Sequence, residues 1–368
     1  MKISDGRVYF YYLYDVADEI DLPKVEALLK ESVTETGLNV YRRLTPEYIR
    51  YAVAPVLIKL ASNKKIELEK KQVKINVYSK IFDFGAIVFI ASTDFKGSSA
   101  ELTHFSAEVL EPELEKIVLD YRDKLLKKIN PALKKPSPYP LYSEDYVVYH
   151  VKKLDKKINA AGFEKEYAKE IAKLIRFEKS DLSDAEIKEI WDGKASYYEN
   201  DLVVVDYNAA FVFDAVEPLD VLNVLEYANI QLLELRYYDS VLDRKISAAY
   251  DDLERLKNPF LPQSYSRVMK RLSEIKLGIE EIIDKVDNTL KLVGDMYLVK
   301  VYSLAAKKFH LSEWETNVDK KLAGVEKIYS KLQENVNSAR FTLLEVLMVL
   351  LEIIFILVVV AEIYHWIG

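Results

Sequence analysis

The sequence predicts an α+β fold: two related βαββα-like halves, a long antiparallel helical hairpin, and one C-terminal transmembrane helix. Three observations lead there. Strand-like and helix-like runs recur in the same order twice within the first 250 residues. After Pro262 only helical periodicity remains. Leu343 to Ala361 then reads LLEVLMVLLEIIFILVVVA, 19 residues that are apolar except for Glu345 and Glu352.

The first half is assigned to residues 1–130. It opens on the run Val8-Tyr9-Phe10-Tyr11-Tyr12-Leu13-Tyr14, rich in aromatic strand formers. A helix follows with Val25, Leu28 and Leu29 on one face. Val73 to Val77 and Ile81 to Ala91 read as strands, and about Ala100 to Ile129 as helix. Residues 131–143 carry four prolines between Pro131 and Pro140, a linker composition. The second half, 144–256, repeats the order. Tyr146 to Tyr149 is a strand, Phe163 to Ile175 a helix, Ala195 to Tyr198 and Leu202 to Phe213 a strand pair, and Leu219 to Leu256 a helix. The best local match sets Asp83-Phe84-Gly85-Ala86 against Asp206-Tyr207-Asn208-Ala209. Element order and this match together suggest an internal repeat.

Residues 263–340 are expected to form the helical hairpin or coiled-coil stalk. Its first helix runs from about Ser264 to Lys308, with Val268, Leu272, Ile275, Ile279, Ile282 and Val286 as apolar positions. A turn is placed near Phe309-His310-Leu311, and Ser312 with Glu315 fits a capping box opening the second helix. That helix carries Val318, Leu322, Val325, Tyr329, Leu332, Val336, Ala339 and Leu343 at strict four-three spacing, the pattern of a coiled-coil seam. The partner of the seam is either the preceding helix or a second copy of the chain.

Residues 341–364 are read as a transmembrane anchor. Fifteen of the 19 core residues are Leu, Ile, Val or Phe. At roughly −0.45 kcal/mol each they favour insertion by about 7 kcal/mol, against about 5–6 kcal/mol for two glutamates at mid-bilayer. The length, about 28 Å as a helix, suits one crossing. Lys320, Lys321, Lys327, Lys331 and Arg340 precede the segment and no Lys or Arg follows it, so the positive-inside rule places the bulk of the protein in the cytoplasm. Tyr364 and Trp366 suit the far interface, and the N-terminal sequence lacks the apolar core of a signal peptide. Glu345 and Glu352 are seven residues apart and share a stripe off the seam. Either they meet a membrane partner or a second copy, or Glu345 sits at the headgroups and Glu352 alone is submerged.

Chemistry is mostly excluded rather than indicated. The chain has no cysteine, only four scattered histidines, and dispersed glycines without a phosphate-cradling motif. No catalytic residue, cofactor or metal is expected. A net charge of −7 gives no reason for indiscriminate nucleic-acid binding. Abundant Lys, Glu and Tyr with little Gln suggest a thermophilic source. Asp83 and Asp206 read either as paired carboxylates where the halves meet or as residues of structural turns. The run Tyr9, Tyr11, Tyr12, Tyr14 lacks interleaved cations and reads as packed strand rather than base-stacking platform. Lys64-Lys65 and Lys70-Lys71 read as a solvated loop or a docking patch for an acidic surface.

Three segments carry a resemblance to a known family. KIFDFGAIVFIAS from Lys80, EWETNVDKKLAGVEKIYSKLQENVNSAR from Glu313 and LLEVLMVLLEIIFI from Leu343 resemble the Rmd1/YagE family. The resemblance covers Lys80 onward. Asn258-Pro259-Phe260-Leu261-Pro262 keeps a proline and Phe but lacks the Trp-Glu seen in family members. Mitochondrial members are inner-membrane proteins linked to organelle translation, and the family has no established catalytic residues to carry over. The expected role is a membrane-anchored, non-enzymatic scaffold or adaptor. Its expected partners are the lipid bilayer and either a homo-oligomer or a membrane protein. The alternatives are a ribosome or RNA tether and an enzyme using carboxylates between the halves.

Overall fold

The computed structural model describes residues 1–36, 39–41, 49–51, 53–68, 71–138, 141–254, 290–292 and 295–367, with 269–270, 273 and 277. The expected helical positions Val268, Leu272, Ile275, Ile279, Ile282 and Val286, the segment 258–262 and Lys70 lie outside these.

Strand β1 (Lys2–Asp15) is the middle strand of the main sheet. Val8, Phe10, Tyr12 and Tyr14 point into one apolar core and Tyr9, Tyr11 and Leu13 to the other face, and all seven are buried. Burial on both faces explains why the run shows no polar alternation. Next come β2 (Ala17–Ile20), α1 (Leu22–Thr36), β3 (Asn39–Tyr41), β4 (Ile49–Tyr51), β5 (Val56–Leu68), β6 (Lys71–Ile81) and β7 (Ala86–Ser98). Helix α2 (Ser99–His104) passes through a π-helical turn at Phe105–Leu110 into α3 (Glu111–Ile129). A capping box opens α2: the Glu101 amide donates to Ser98 Oγ at 3.2 Å and the Ser98 amide to Glu101 Oε2 at 2.7 Å.

The proline-rich linker is partly structured, since β8 (Leu133–Pro136) pairs with β2. The second half supplies β9 (Ser143–Leu154), α4 (Ala160–Ile175), α5 (Asp184–Trp191), β10 (Lys194–Ala195), β11 (Leu202–Val205), β12 (Ala209–Phe213) and α6 (Leu219–Glu254). The expected strand Leu202 to Phe213 is two strands, parted by the turn at Asp206 to Asn208.

Both halves build one mixed sheet of nine described strands, in the order β10-β11-β12-β9-β1-β7-β6-β5-β3. Strands β1 and β9 run antiparallel side by side where the halves meet. β7 is antiparallel to β1, whereas β12 is parallel to β9. The strand directions therefore differ between the two halves. The core that holds Val8, Phe10, Tyr12 and Tyr14 also takes in residues of α1, α3, α4 and α5. On the opposite face α6 reaches the sheet through Lys80 and Glu226.

The β6–β7 turn is tightly fixed. Gly85 has φ +105°, and a Cβ there would lie 1.7 Å from the Ala17 carbonyl oxygen, so no side chain fits. Val16 and Ile20 donate to the Gly85 and Asp83 carbonyls at 3.0 and 2.7 Å, welding this turn to the segment after β1.

The helix expected from Ser264 to Lys308 is interrupted. Strand β13 (Leu290–Leu292) pairs with β4, and α7 (Met296–Lys308) begins afresh. Asp295 explains the new start, because its carboxylate accepts the Tyr297 and Leu298 amides at 2.8 and 3.2 Å. The expected turn at 309–311 is present, with His310 at φ 55°. The helix that follows starts at Leu311, one residue before the expected N-cap Ser312. The His310 carbonyl accepts the Glu313 and Trp314 amides at 3.1 Å, and Ser312 Oγ donates to Glu313 at 2.9 Å from inside the first turn. The left-handed residue lies between α7 and α8 (Leu311–Ile367), and its carbonyl accepts the first helical hydrogen bonds of α8.

The chain divides into two units: Met1–Tyr237 with Ile282–Trp314, and Tyr238–Glu281 with Glu315–Gly368. In the second, α8 buries Val318, Val325, Leu332, Val336 and Ala339. Leu322 and Tyr329 are half-buried and Leu343 is exposed. Lys321 contacts Asp239 and Asp243 of α6, both at 2.7 Å, so α8 meets the second half of α6 within one chain. From Arg340 to Ile363 every residue of α8 is exposed. This helix is long and apolar enough, by length and composition, to cross a membrane.

Candidate functional site

A cavity of about 690 Å³ lies between the sheet and the start of α6, inside the first unit. It is in the size range of small-molecule sites. Strands β1, β6 and β7 supply Arg7, Tyr11, Tyr78, Lys80 and Ser92, and the loop into α6 supplies Asp214 and Glu217. Helix α6 turns Asp220, Asn223 and Glu226 inward, three residues apart and so on adjoining faces of successive turns. The N-terminal end of α7 closes the lining with Asp295, Tyr297 and Leu298.

The innermost pair is Lys80 and Glu226. Lys80 Nζ donates to Glu226 Oε2 at 2.6 Å and to Asn223 Oδ1 at 2.7 Å. Glu226 is 2% exposed, and burial pushes its carboxyl pKa up while Lys80 pulls it down. Its second oxygen, Oε1, has no hydrogen-bond partner among the described residues.

A second charged group forms one wall. Arg7 donates to Asp94 at 2.7 Å and to Glu217 at 3.1 Å, Tyr9 donates to Glu217, and Lys152 stands 3.6 Å from the same carboxylate. Burial works against the Glu217 charge, but the Tyr9 hydroxyl and Arg7 hold its pKa below the usual range. His150 contacts the Asp214 carbonyl through Nε2 at 2.9 Å, and burial lowers its pKa. Asp220 is pushed up by burial and by the neighbouring charge of Asp295.

A separate cavity of about 580 Å³ involves Asp206, which is 1% exposed. Its carboxylate meets Arg176 and, at 3.4 Å, Lys308, while its carbonyl accepts the Tyr146 hydroxyl at 3.0 Å. Arg176, Lys307 and Lys308 face Glu189, Asp192, Asp206 and Glu313 there, so the charges largely cancel.

The sequence-derived candidates do not gather in one place. Asp83 lies in the β6–β7 turn and Asp206 in the β11–β12 turn. Strands β7 and β12 are three positions apart in the sheet, roughly 14 Å at about 4.8 Å per strand. The two carboxylates therefore do not form a pair, and Asp83 belongs to a structural turn. Tyr9, Tyr11, Tyr12 and Tyr14 are packed in β1. Lys64 and Lys65 sit on the β5–β6 hairpin, with Lys64 over the Tyr121 ring at 5.1 Å. Glu345 and Glu352 lie in the exposed stretch of α8.

Sequence reasoning missed Arg7, Lys80, Glu217, Asp220, Glu226 and Asp295 as a group. One signal was present. Asn223 and Glu226 interrupt an otherwise apolar run, VLNVLEYA, in a helix that had to be buried.

Fold and cavity together define an α+β protein with a charged, ligand-sized cleft on one sheet face and a separate apolar helix. Residues 5–218 match the family described as Uncharacterized protein MJ0711, N-terminal domain, and the chain belongs to that family. The matched region takes in the sheet from within β1 to beyond β12 and stops at Pro218, just before α6. The chain is also 27% identical over 296 residues to Uncharacterized protein MJ0711 of Methanocaldococcus jannaschii, covering 79% of this chain and 83% of the relative. These matches place the chain in an uncharacterised family, but not in the Rmd1/YagE group that its later segments resemble. No solved structure matches.

Proposed function

We infer that this protein is a membrane-anchored, non-enzymatic scaffold or adaptor that holds its α+β unit beside a bilayer. The observation that supports this is the stretch from Arg340 to Ile363, exposed at every position and almost wholly apolar in the single chain. Such a surface needs lipid or protein to cover it, and its composition satisfies the requirement for a spanning helix. Lys320, Lys321, Lys327, Lys331 and Arg340 stand before it, so the bulk faces the cytoplasm in this reading. Glu345 and Glu352 then mark where a second copy or a membrane partner meets the helix, since submerged carboxylates face protein or water.

Two other readings receive less support. A ribosome tether rests on the Rmd1/YagE resemblance, and the net charge of −7 adds nothing to it. An enzyme using Asp83 with Asp206 would need them together, whereas they stand three strands apart.

The test is fractionation of the full chain against a version ending at Arg340. The full chain should resist alkaline carbonate extraction and the shortened one should appear in the soluble fraction. A shortened protein that stays in washed membranes would sink the reading.

A further inference from the structure

We propose that an exposed aromatic and apolar patch at the edge of the cleft docks a basic, apolar segment of a partner protein. Tyr197, Tyr198, Val216, Leu219 and Met296 form the patch, each between 50% and 81% exposed. They come from the loop after β10, the entry to α6 and the start of α7. The surface is continuous. The Tyr197 ring meets Tyr198 and Tyr297 edge to face, with centroids 4.7 and 5.5 Å away. Tyr297, Val216 and Leu219 in turn share the lining of the cleft. Elsewhere in the first unit only Val53 and Tyr207, among the described residues, are large apolar or aromatic side chains this open to solvent. Apolar groups gathered in one place mark an interaction surface, whereas scattered ones are ordinary.

Each part of the patch has a carboxylate fixed beside it. Asp201 accepts the Tyr197 and Tyr198 amides at 2.7 and 2.8 Å, and Asp214 accepts the Val216 amide at 2.9 Å. Asp295 accepts the Tyr297 and Leu298 amides, and Asp220 follows Leu219 in the chain. These groups stand close together. After burial, the charges of Asp201, Asp214 and Asp295 push the Tyr297 hydroxyl pKa up, and Asp295 does the same to Asp220. The amides orient the aspartates without cancelling their charge. Arg7, Lys80 and Lys152 are taken by Asp94, Glu217 and Glu226, and none of the four aspartates has an ion-pair partner among the described residues.

That charge decides what covers the patch. An anionic lipid surface would be repelled, and the same patch of a second copy would set the aspartates against one another. A segment with Lys or Arg beside apolar side chains meets both demands. Its cations face the aspartates and the tyrosine rings, and its apolar groups cover Val216, Leu219 and Met296. The adjoining cleft of about 690 Å³ gives one large side chain of the segment a place to anchor.

The inference does not rest on the anchor reading, because every residue it uses lies in the first unit and carbonate extraction is indifferent to it. The test is selection from a phage-displayed library of random dodecapeptides on the full chain in phosphatidylcholine nanodiscs, with empty discs removing lipid binders. Enriched peptides should combine Arg or Lys with Leu, Phe or Trp, and fluorescence anisotropy should show their affinity falling as salt rises. Tyr198→Ser should weaken the best peptide roughly tenfold or more. Asp220→Asn should weaken it about threefold and reduce the salt dependence. Tyr250→Ser, at a position 53% exposed in the second unit, should change nothing. Thermal melts check that all three variants fold. Enrichment of acidic peptides or of none, or affinity unchanged in both Tyr198→Ser and Asp220→Asn, would overturn the proposal. So would self-association of the chain that Tyr198→Ser abolishes, which would assign the patch to a second copy.

Discussion

Lys80 and Glu226 meet 2.6 Å apart across the interface between the sheet and α6, with side-chain exposures of 15% and 2%. An ion pair this deep gains little over an apolar pair but is costly to halve, because the survivor is left charged and desolvated. Lys80→Met should therefore cost about 3–5 kcal/mol of unfolding free energy. Lys80→Met combined with Glu226→Leu should recover most of that. Urea denaturation of both variants decides it. A single variant as stable as the parent would show that water or another group already neutralises Glu226.

The eight expected seam positions on α8 are not equivalent, and this can be measured. Leu332 is 2% exposed, whereas Leu322 is only half-buried. Leu332→Asp must carry a carboxylate into an apolar contact, at a cost of about 3 kcal/mol or more. At Leu322 the new carboxylate can turn toward water, so Leu322→Asp should cost less than half as much. The two melting temperatures in detergent give the comparison. Equal losses would mean that Leu322 is covered by something outside the single chain, a second copy for instance.

Much of the fold was legible because its signals are local. The β1 run, the Phe163 to Ile175 helix and the four-three spacing on α8 all rest on side-chain periodicity, which the backbone reads directly. What failed depended on long-range partners. Leu290–Leu292 becomes a strand only because Ile49–Tyr51 lies beside it, and the helical pattern around it gave no warning. The halves looked alike in order, yet β12 is parallel to β9 while β7 is antiparallel to β1, and strand direction leaves no trace in composition. The cleft was the least visible part. Its residues are drawn from positions as far apart as Arg7 and Asp295, with no spacing that the chemistry requires.

Asp15 makes a prediction about pH. It is 1% exposed and accepts the Ser137 hydroxyl. Burial pushes its pKa up to about 7, the Asp18 charge adds to this, and the Ser137 hydrogen bond opposes it. In the unfolded chain the same group titrates near 3.8. Between about pH 4 and pH 7 the folded protein therefore holds a proton that the unfolded chain has lost. The sign follows from linkage: the unfolded state binds fewer protons, so stability falls as pH rises through that window and levels off above it. Glu144, beside Arg236, is also pushed up to about 7 by burial and contributes in the same direction. Asp15→Asn should reduce the slope of unfolding free energy between pH 4 and 7, and adding Glu144→Gln should nearly flatten the share these two groups supply. Chemical denaturation at a series of pH values measures it. A slope unchanged in Asp15→Asn would mean that this carboxylate is ionised in the folded protein, with a cation or water reaching it beside Ser137.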